Sequence, residues 1–453
     1  MLSHQACEQF PIIGAQQHYW KEFRKYGRNS ISTIAHYLEI KGALNEEAFT
    51  LAVNQTLHES DIFTAVLKEA APKEARQPQQ QMGMHRPQLV RVDLTQDKTP
   101  YQTAQKKMQQ DIRQPLNILD PEMSVHLLFV LGPDHYLWYT RSHHILIDGY
   151  GMMLFEQRCC QLYSHLCRHT PKGRPFYAFR DYMNEEHQYT GSKRHQGDQQ
   201  FWKDYLSASP DIPRLDPDYD MAGADILRLE TRFSAKVSTG LRTSAELLGT
   251  GWPDLLVTLI ALYLHQAGEK MLWLPFMNRW GSVAANIPGL MVNILPYQID
   301  VDRSQTLGEY IRQAVKNLRT IYRHGRYRLE RIEADQGLNQ EESFFLTPFI
   351  NILPFDVPVL PGCEVRHEVI ARGAADGFNI TCSSDPSANQ MHFAFDSDRH
   401  SYPQEMLAHH ATQLPAFLRR LTEVKASDEA GQRQSLQTIL DTRIETLLNE
   451  NRQ

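Results

Sequence analysis

Apolar positions recur along most of the 453-residue chain with either helical or strand-like spacing, and the two periods are interleaved from one half to the other. Phe49, Ala52, Val53 and Leu57 share one face of a predicted helix over residues 46–57, with Asn45 placed to cap it. Residues 125–130 and 136–140 are β-branched, aromatic and apolar, and Gly132-Pro133-Asp134 is the turn between these two predicted strands. The second strand leads into His143-His144-Ile145-Leu146-Ile147-Asp148-Gly149. A helix over residues 152–166 follows, carrying Met153, Leu154, Leu162, Tyr163 and Leu166, and Gly149 and Gly151 allow an abrupt entry into it.

In the second half, Pro253 and Gly268 bracket a helix whose interior, 255–264, is apolar nearly all round and therefore belongs in a core. Residues 271–276 read as a buried strand. Leu307, Ile311, Ala314, Leu318 and Tyr322 mark an amphipathic helix, and 404–424 and 436–451 are the last two helices. Residues 76–87 are polar and interrupted by proline, which predicts an exposed loop. The turn-rich, charged stretch between residues 190 and 223, around the short Phe201-Trp202 segment, is the expected domain boundary. The pattern predicts an α/β protein of two mixed lobes, residues 1–195 and 196–453.

Composition narrows the functional classes. Hydrophobic residues at 42% and aromatics at 10% describe a globular chain, and a net charge of -6 carries no nucleic-acid footprint. Cysteines 7, 159, 160, 167, 363 and 382 contain no CxxC pair and no regular spacing, so neither a zinc site nor a disulfide framework is expected. The first residues lack a basic region followed by an apolar one, and no run of 18 apolar residues occurs, so the expectation is a cytoplasmic, soluble monomer without a membrane segment. No GxGxxG or GxxxxGK[ST] loop signals dinucleotide or P-loop chemistry.

The candidate chemistry sits at the strand end, in the His143–Gly149 run. A strand feeding a helix through a His/Asp/Gly turn is a usual place for a site. With a reference pKa of about 6.5, His144 is suited to accept or relay a proton near neutrality.

Five stretches in order resemble the condensation-domain family of non-ribosomal peptide synthetases, which belongs with the chloramphenicol acetyltransferase-like acyltransferases. They are Gly14-Ala15-Gln16-Gln17-His18-Tyr19-Trp20, then His58-Glu59-Ser60-Asp61-Ile62-Phe63, then the HHxxxDG run itself, then Phe176-Tyr177-Ala178-Phe179-Arg180-Asp181-Tyr182, and Ile287-Pro288-Gly289-Leu290-Met291-Val292-Asn293. Phe63 departs from the arginine of most members, and His324-Gly325-Arg326-Tyr327-Arg328 replaces the usual proline-containing sixth motif. Residues 148–158, 273–280 and 348–354 are similar to the free-standing amide-synthase branch of vibriobactin-type biosynthesis.

The resemblance implies two chloramphenicol acetyltransferase-like α/β sandwich lobes forming a V-shaped pseudo-dimer, with Met1 and a short C-terminal helix fitting a stand-alone enzyme. It implies transfer of an aryl acyl group, 2,3-dihydroxybenzoyl, from an aryl carrier protein's phosphopantetheine thioester to an amine of a free polyamine of the norspermidine or spermidine type, in catechol siderophore biosynthesis. The phosphopantetheine arrives on the carrier protein, and no cofactor is bound. His144 is then the base or positioning group, and Gly149 lets the backbone pass close to the pantetheine and presents an N–H to the oxyanion. His143 is structural, as are Asp148 and its expected ion-pair partner Arg279. Asn351 and Trp273 are candidates for the acceptor channel, with Trp280 a further aromatic to consider. The rival functions are a peptide-bond-forming condensation domain with a carrier-bound aminoacyl acceptor, a non-catalytic recruitment module, and a coenzyme A-dependent alcohol acyltransferase. The last would carry DFGWG, which Ala375-Asp376-Gly377-Phe378-Asn379 does not match. Metal ligation by His143, His144 and Asp148 is disfavoured, since no further His/Cys cluster completes a site in sequence.

Overall fold

The computed structural model describes residues 9–69, 78–83, 85–207, 209, 212–216, 218–219, 226–339, 341–373, 377–385, 390–399, 401–423 and 428–449. Two compact units emerge. The first takes residues 1–196 together with 277–292 and 357–374, and the second takes 197–276, 293–356 and 375–453.

In the first unit, a five-stranded sheet has the order Cys363–Arg372, Thr33–Gly42, His135–His143, Ser124–Gly132 and Val90–Asp93. All neighbours run antiparallel except the last pair, which is parallel. One face carries the helices Glu46–Glu59 and Gly149–Arg168, packed over Leu38, Leu128 and Trp138. The other is covered by the helix Pro100–Ile112 over Phe129, Leu137 and Tyr139. Alternating side chains of central strands thus enter two separate cores, which is why these runs read as almost continuously apolar. Asn45 caps its helix as expected, accepting from the N–H of Ala48 at 3.0 Å.

The second unit holds a six-stranded sheet in the order Asn293–Gln298, Met271–Phe276, Phe349–Leu353, Phe378–Asp385, Gln390–Asp398 and Ile226–Phe233. The helix Trp252–Gln266 is buried from Leu255 to Leu264, in a core shared with the helices Ala235–Leu248, Leu307–Arg323 and Gln404–Thr422. Among the described residues no single helix is long and apolar enough to cross a membrane.

Three sequence expectations need correction. The predicted loop over 76–87 contains a strand, Gln79–Gln81, and Gln80 and Gln81 are buried; residues 76, 77 and 84 lie outside the described ones. Burial is tolerated because the Gln80 amide is hydrogen-bonded, accepting from Gln16 Nε2 at 3.1 Å and donating to the Pro11 carbonyl at 3.2 Å. The turn-rich stretch after residue 190 holds a helix, Lys193–Ser207, anchored by buried Asp198, Trp202 and Leu206 at four-residue intervals. Two apolar anchors are too few to reveal that period. The final helix is two, Glu429–Leu440 and Ile444–Asn449, interrupted where the Thr442 carbonyl accepts from Leu307 N at 2.9 Å and Ile444 N donates to Gln305 O at 3.0 Å.

Candidate active site

His143 ends its strand, and the chain turns tightly: Leu146 N donates to His143 O at 3.1 Å and Ile147 N to His144 O at 3.2 Å. Asp148 then caps the helix Gly149–Arg168 by accepting from Gly151 N at 2.7 Å. The two histidines face different surroundings. His143 is buried, its Nδ1 accepts from Ile145 N at 3.1 Å, and burial pushes its pKa down to about 3, so it is a neutral imidazole with a structural hydrogen bond. His144 is partly exposed, yet its Nδ1 is buried without a hydrogen-bond partner. Burial holds its pKa below the ordinary histidine value, with Asp148 pulling the other way. A neutral imidazole at physiological pH is the form that can accept a proton.

The Gly14–Tyr26 helix supports this turn. Gln16, fully buried, donates to the Ile145 carbonyl at 3.4 Å, and the Tyr19 ring stacks on His144 at 5.2 Å with 19° between the planes. Two residues of the first family-like stretch therefore locate the histidine of the third.

Asp148 is consumed by structure. Its Oδ1 accepts from Gly151 N and from Arg279 Nη2 at 2.8 Å, and its Oδ2 accepts from Met291 N at 2.8 Å and Val292 N at 2.9 Å. Arg279 is 1% exposed, donates to the carbonyls of Ala284, Ile287 and Gly289, and lies over the Tyr150 ring at 4.9 Å. This ion pair thus pins residues 284–292 to the histidine turn. Gly151 permits the approach, since a Cβ there would lie 2.8 Å from Gly289 N and 2.9 Å from Gly289 O. Gly149 is exposed at the first position of the helix.

The other stretches serve neighbouring contacts. Glu59 forms a bidentate pair with Arg158 at 2.8 and 3.0 Å. Asp61 accepts from Phe179 N at 2.9 Å, and Phe63 packs edge-on against His126 and Phe155. In the second unit, Asn293 donates to the carbonyls of Gly325 and Tyr327 and accepts from Leu329 N, while His324 contacts Asp198 at 2.7 Å and stacks on Phe201. The altered sixth stretch is therefore a hydrogen-bonded corner built around Asn293. Trp273 is 1% exposed in that unit's core against Phe344, and Asn351 is partly exposed on the neighbouring strand. Trp280, in the first unit, is 69% exposed.

One buried cluster in the first unit had no sequence signal. His36, Glu156 and His367 meet from two strands and a helix. Burial pushes the Glu156 carboxyl up to about 8, His36 well down, and His367 down to about 4. Separations of 120 and 211 residues hide such a group from any spacing motif.

The condensation-domain family pattern matches residues 8–424. The chain belongs to the condensation-domain family. Its structure superposes on VibH, an NRPS condensation enzyme, with a TM-score of 0.87 and 35% identity, covering 95% of this chain and 100% of that one. It is 27% identical over 417 residues to the dimodular nonribosomal peptide synthase of Bacillus subtilis (strain 168), covering 90% of this chain and 17% of that protein. It is likewise 27% identical over 420 residues to enterobactin synthase component F of Escherichia coli (strain K12), covering 91% and 32%. The chain thus spans about a third or less of these two curated relatives' length. The two mixed α/β units are those of the condensation-domain fold. As a member of this family the chain is an enzyme that condenses an acyl group with an amine.

Proposed function

We propose that this condensation enzyme is an amide synthase of catechol siderophore biosynthesis. It transfers an aryl acyl group, 2,3-dihydroxybenzoyl, from a carrier protein's phosphopantetheine thioester to an amine of a free polyamine of the norspermidine or spermidine type. The observation that carries the reading is the division of labour within HHxxxDG. Asp148 spends both oxygens on four N–H donors, whereas His144 keeps a neutral imidazole set by Tyr19 and Gln16.

In the reaction, the amine nitrogen forms the new C–N bond, the C–S bond breaks, the pantetheine thiol leaves, and the amine gives up a proton. A polyamine nitrogen with a pKa of about 10, like that of lysine, is mostly ammonium at neutrality and must lose a proton before attack. His144 orients the nucleophile and accepts or relays that proton. General-base catalysis supplies about 10²–10⁴-fold, whereas holding the two reactants together is worth roughly 7–11 kcal/mol, so positioning contributes more. We assign the N–H of Gly149, an exposed residue at the start of its helix, to the developing oxyanion. We assign Asn351 to the acceptor side, with Trp273 on the adjacent strand paired with Phe349.

The free-amine acceptor is supported by Phe63 and by residues 324–328, which depart from the usual family stretches, and by the likeness to VibH along that protein's whole length. The five described cysteines are free, which suits action in the cytoplasm. Incubation with aryl-loaded carrier protein and a panel of free amines, with products identified by mass, tests the reading. Aryl amides of free polyamines are the expected products. The second reading, a carrier-bound aminoacyl acceptor, draws on the multidomain relatives such as enterobactin synthase component F. It predicts product only on a carrier protein.

A further inference from the structure

From the convergence of His36, Glu156 and His367, we propose a binding site for a zinc-type divalent transition-metal ion inside the first unit, separate from the HHxxxDG turn. One ligand atom from each residue lies within 4.8 Å of the other two. His36 Nε2 is 3.4 Å from Glu156 Oε1, and His367 Nε2 is 4.0 Å from the same oxygen. Ligands around a tetrahedral zinc, at about 2.0–2.2 Å from the metal, stand roughly 3.3–3.6 Å apart, so His36 Nε2 and Glu156 Oε1 already stand at that spacing and the His367 ring must swing in to complete it.

Two further observations point to a ligand. His36 is 7% exposed, and its Nε2, turned towards Glu156, is buried without a hydrogen bond. Glu156 is equally buried, and among the described residues its ionic contacts are these two imidazoles, with no lysine or arginine. A metal ion would satisfy the buried Glu156 oxygen as a carboxylate. The His36 Nδ1 and His367 Nε2 share a hydrogen bond at 2.8 Å, which a metal ion would replace by taking His367 Nε2 as a ligand.

Chemistry selects the class of ion. Two imidazoles and one carboxylate suit zinc and its first-row neighbours, whereas magnesium and calcium require oxygen-rich shells. The His367 side chain is 31% exposed, so a route to solvent exists beside it and a water can take the fourth position. Such an ion would tie together residues 36, 156 and 367, and so fasten the edge strand Cys363–Arg372, which comes from late in the chain, to the first unit's sheet and helix. The role is architectural, because the side chains of the HHxxxDG turn do not take part.

Full-length protein stripped with chelator and titrated with zinc chloride, read by calorimetry, bound-metal analysis and thermal melting, tests the proposal. The expected result is one zinc per chain, a rise in melting temperature on binding, and no comparable response to magnesium. E156Q and H367Q should each weaken zinc binding at least tenfold and abolish the thermal shift. H135Q, which alters a separate histidine beside Glu39, should leave both unchanged. H367Q, at the exposed margin, decides the matter if E156Q does not fold. Wild-type protein without stoichiometric zinc binding, or binding that survives H367Q undiminished, would overturn the proposal.

Discussion

Arg279 Nη2 donates to Asp148 Oδ1 at 2.8 Å across 131 residues of sequence, and both side chains are almost fully buried. The pair holds the HHxxxDG turn against residues 284–292, so its removal should act on folding first. Asp148→Ala leaves a buried guanidinium uncompensated and should cost about 3–5 kcal/mol. Urea denaturation of the purified variant measures this; an unchanged midpoint with activity lost would instead make Asp148 a chemical participant.

Gly151→Ala drives a methyl group into the backbone of Gly289, where no flexible side chain can yield. The expected loss is about 1–3 kcal/mol, as for other overpacked sites. Gly197→Ala is the natural comparison, since a Cβ there meets nothing within 4 Å inside the helix Lys193–Ser207. That substitution should stabilise by roughly 0.4–1 kcal/mol. Equal effects at both positions in the same denaturation assay would refute the packing argument.

His143 gives a pH signature. Its folded-state pKa is lowered to about 3 by burial, so between the ordinary value of 6.5 and 3 the unfolded chain binds the proton that the folded one refuses. Stability must therefore fall as pH drops below 6.5, by up to about 1.4 kcal/mol per pH unit from this group. His126, also lowered to about 3, adds in the same sense, while Glu156, raised to about 8, opposes it between 8 and 4.5. Comparing wild type with His143→Gln isolates the His143 contribution. The variant should be less stable at pH 7, through the lost contact to Ile145 N, but show a shallower decline towards pH 5. Parallel declines would contradict the assignment.

Much of this was legible in the sequence, and the failures have physical reasons. The hairpin around Gly132-Pro133-Asp134, the helix capped by Asn45 and the strand Met271–Phe276 carry strong local periods, and they formed within a few residues of the expected bounds. Gln79–Gln81 did not look like a strand because its burial depends on a hydrogen bond to Gln16, 64 residues away, and not on apolar character. The HHxxxDG turn was recognisable as a motif. That Gln16 and Tyr19 brace it, and that the strand Cys363–Arg372 completes its sheet, depends on tertiary contacts with no local pattern.

His144→Ala should lower turnover by no more than about 10²-fold, the lower end of general-base effects, because positioning contributes more and a free polyamine can relay a proton through its own neutral nitrogen or through water. Since burial lowers the His144 pKa, the imidazole stays neutral to below pH 6.5, and the acid limb of the wild-type single-turnover profile should fall there. That limb should be absent in the variant. Superimposable profiles would remove His144 from proton transfer.

The identity of the acceptor can be measured directly by a competition. Aryl-loaded carrier protein is mixed with the enzyme, free norspermidine and an aminoacyl-loaded carrier protein in one vessel, and the products are resolved by mass. The aryl group should accumulate on the free polyamine. Aryl amide formed only on the carrier-bound amino acid, with millimolar polyamine untouched, would contradict it.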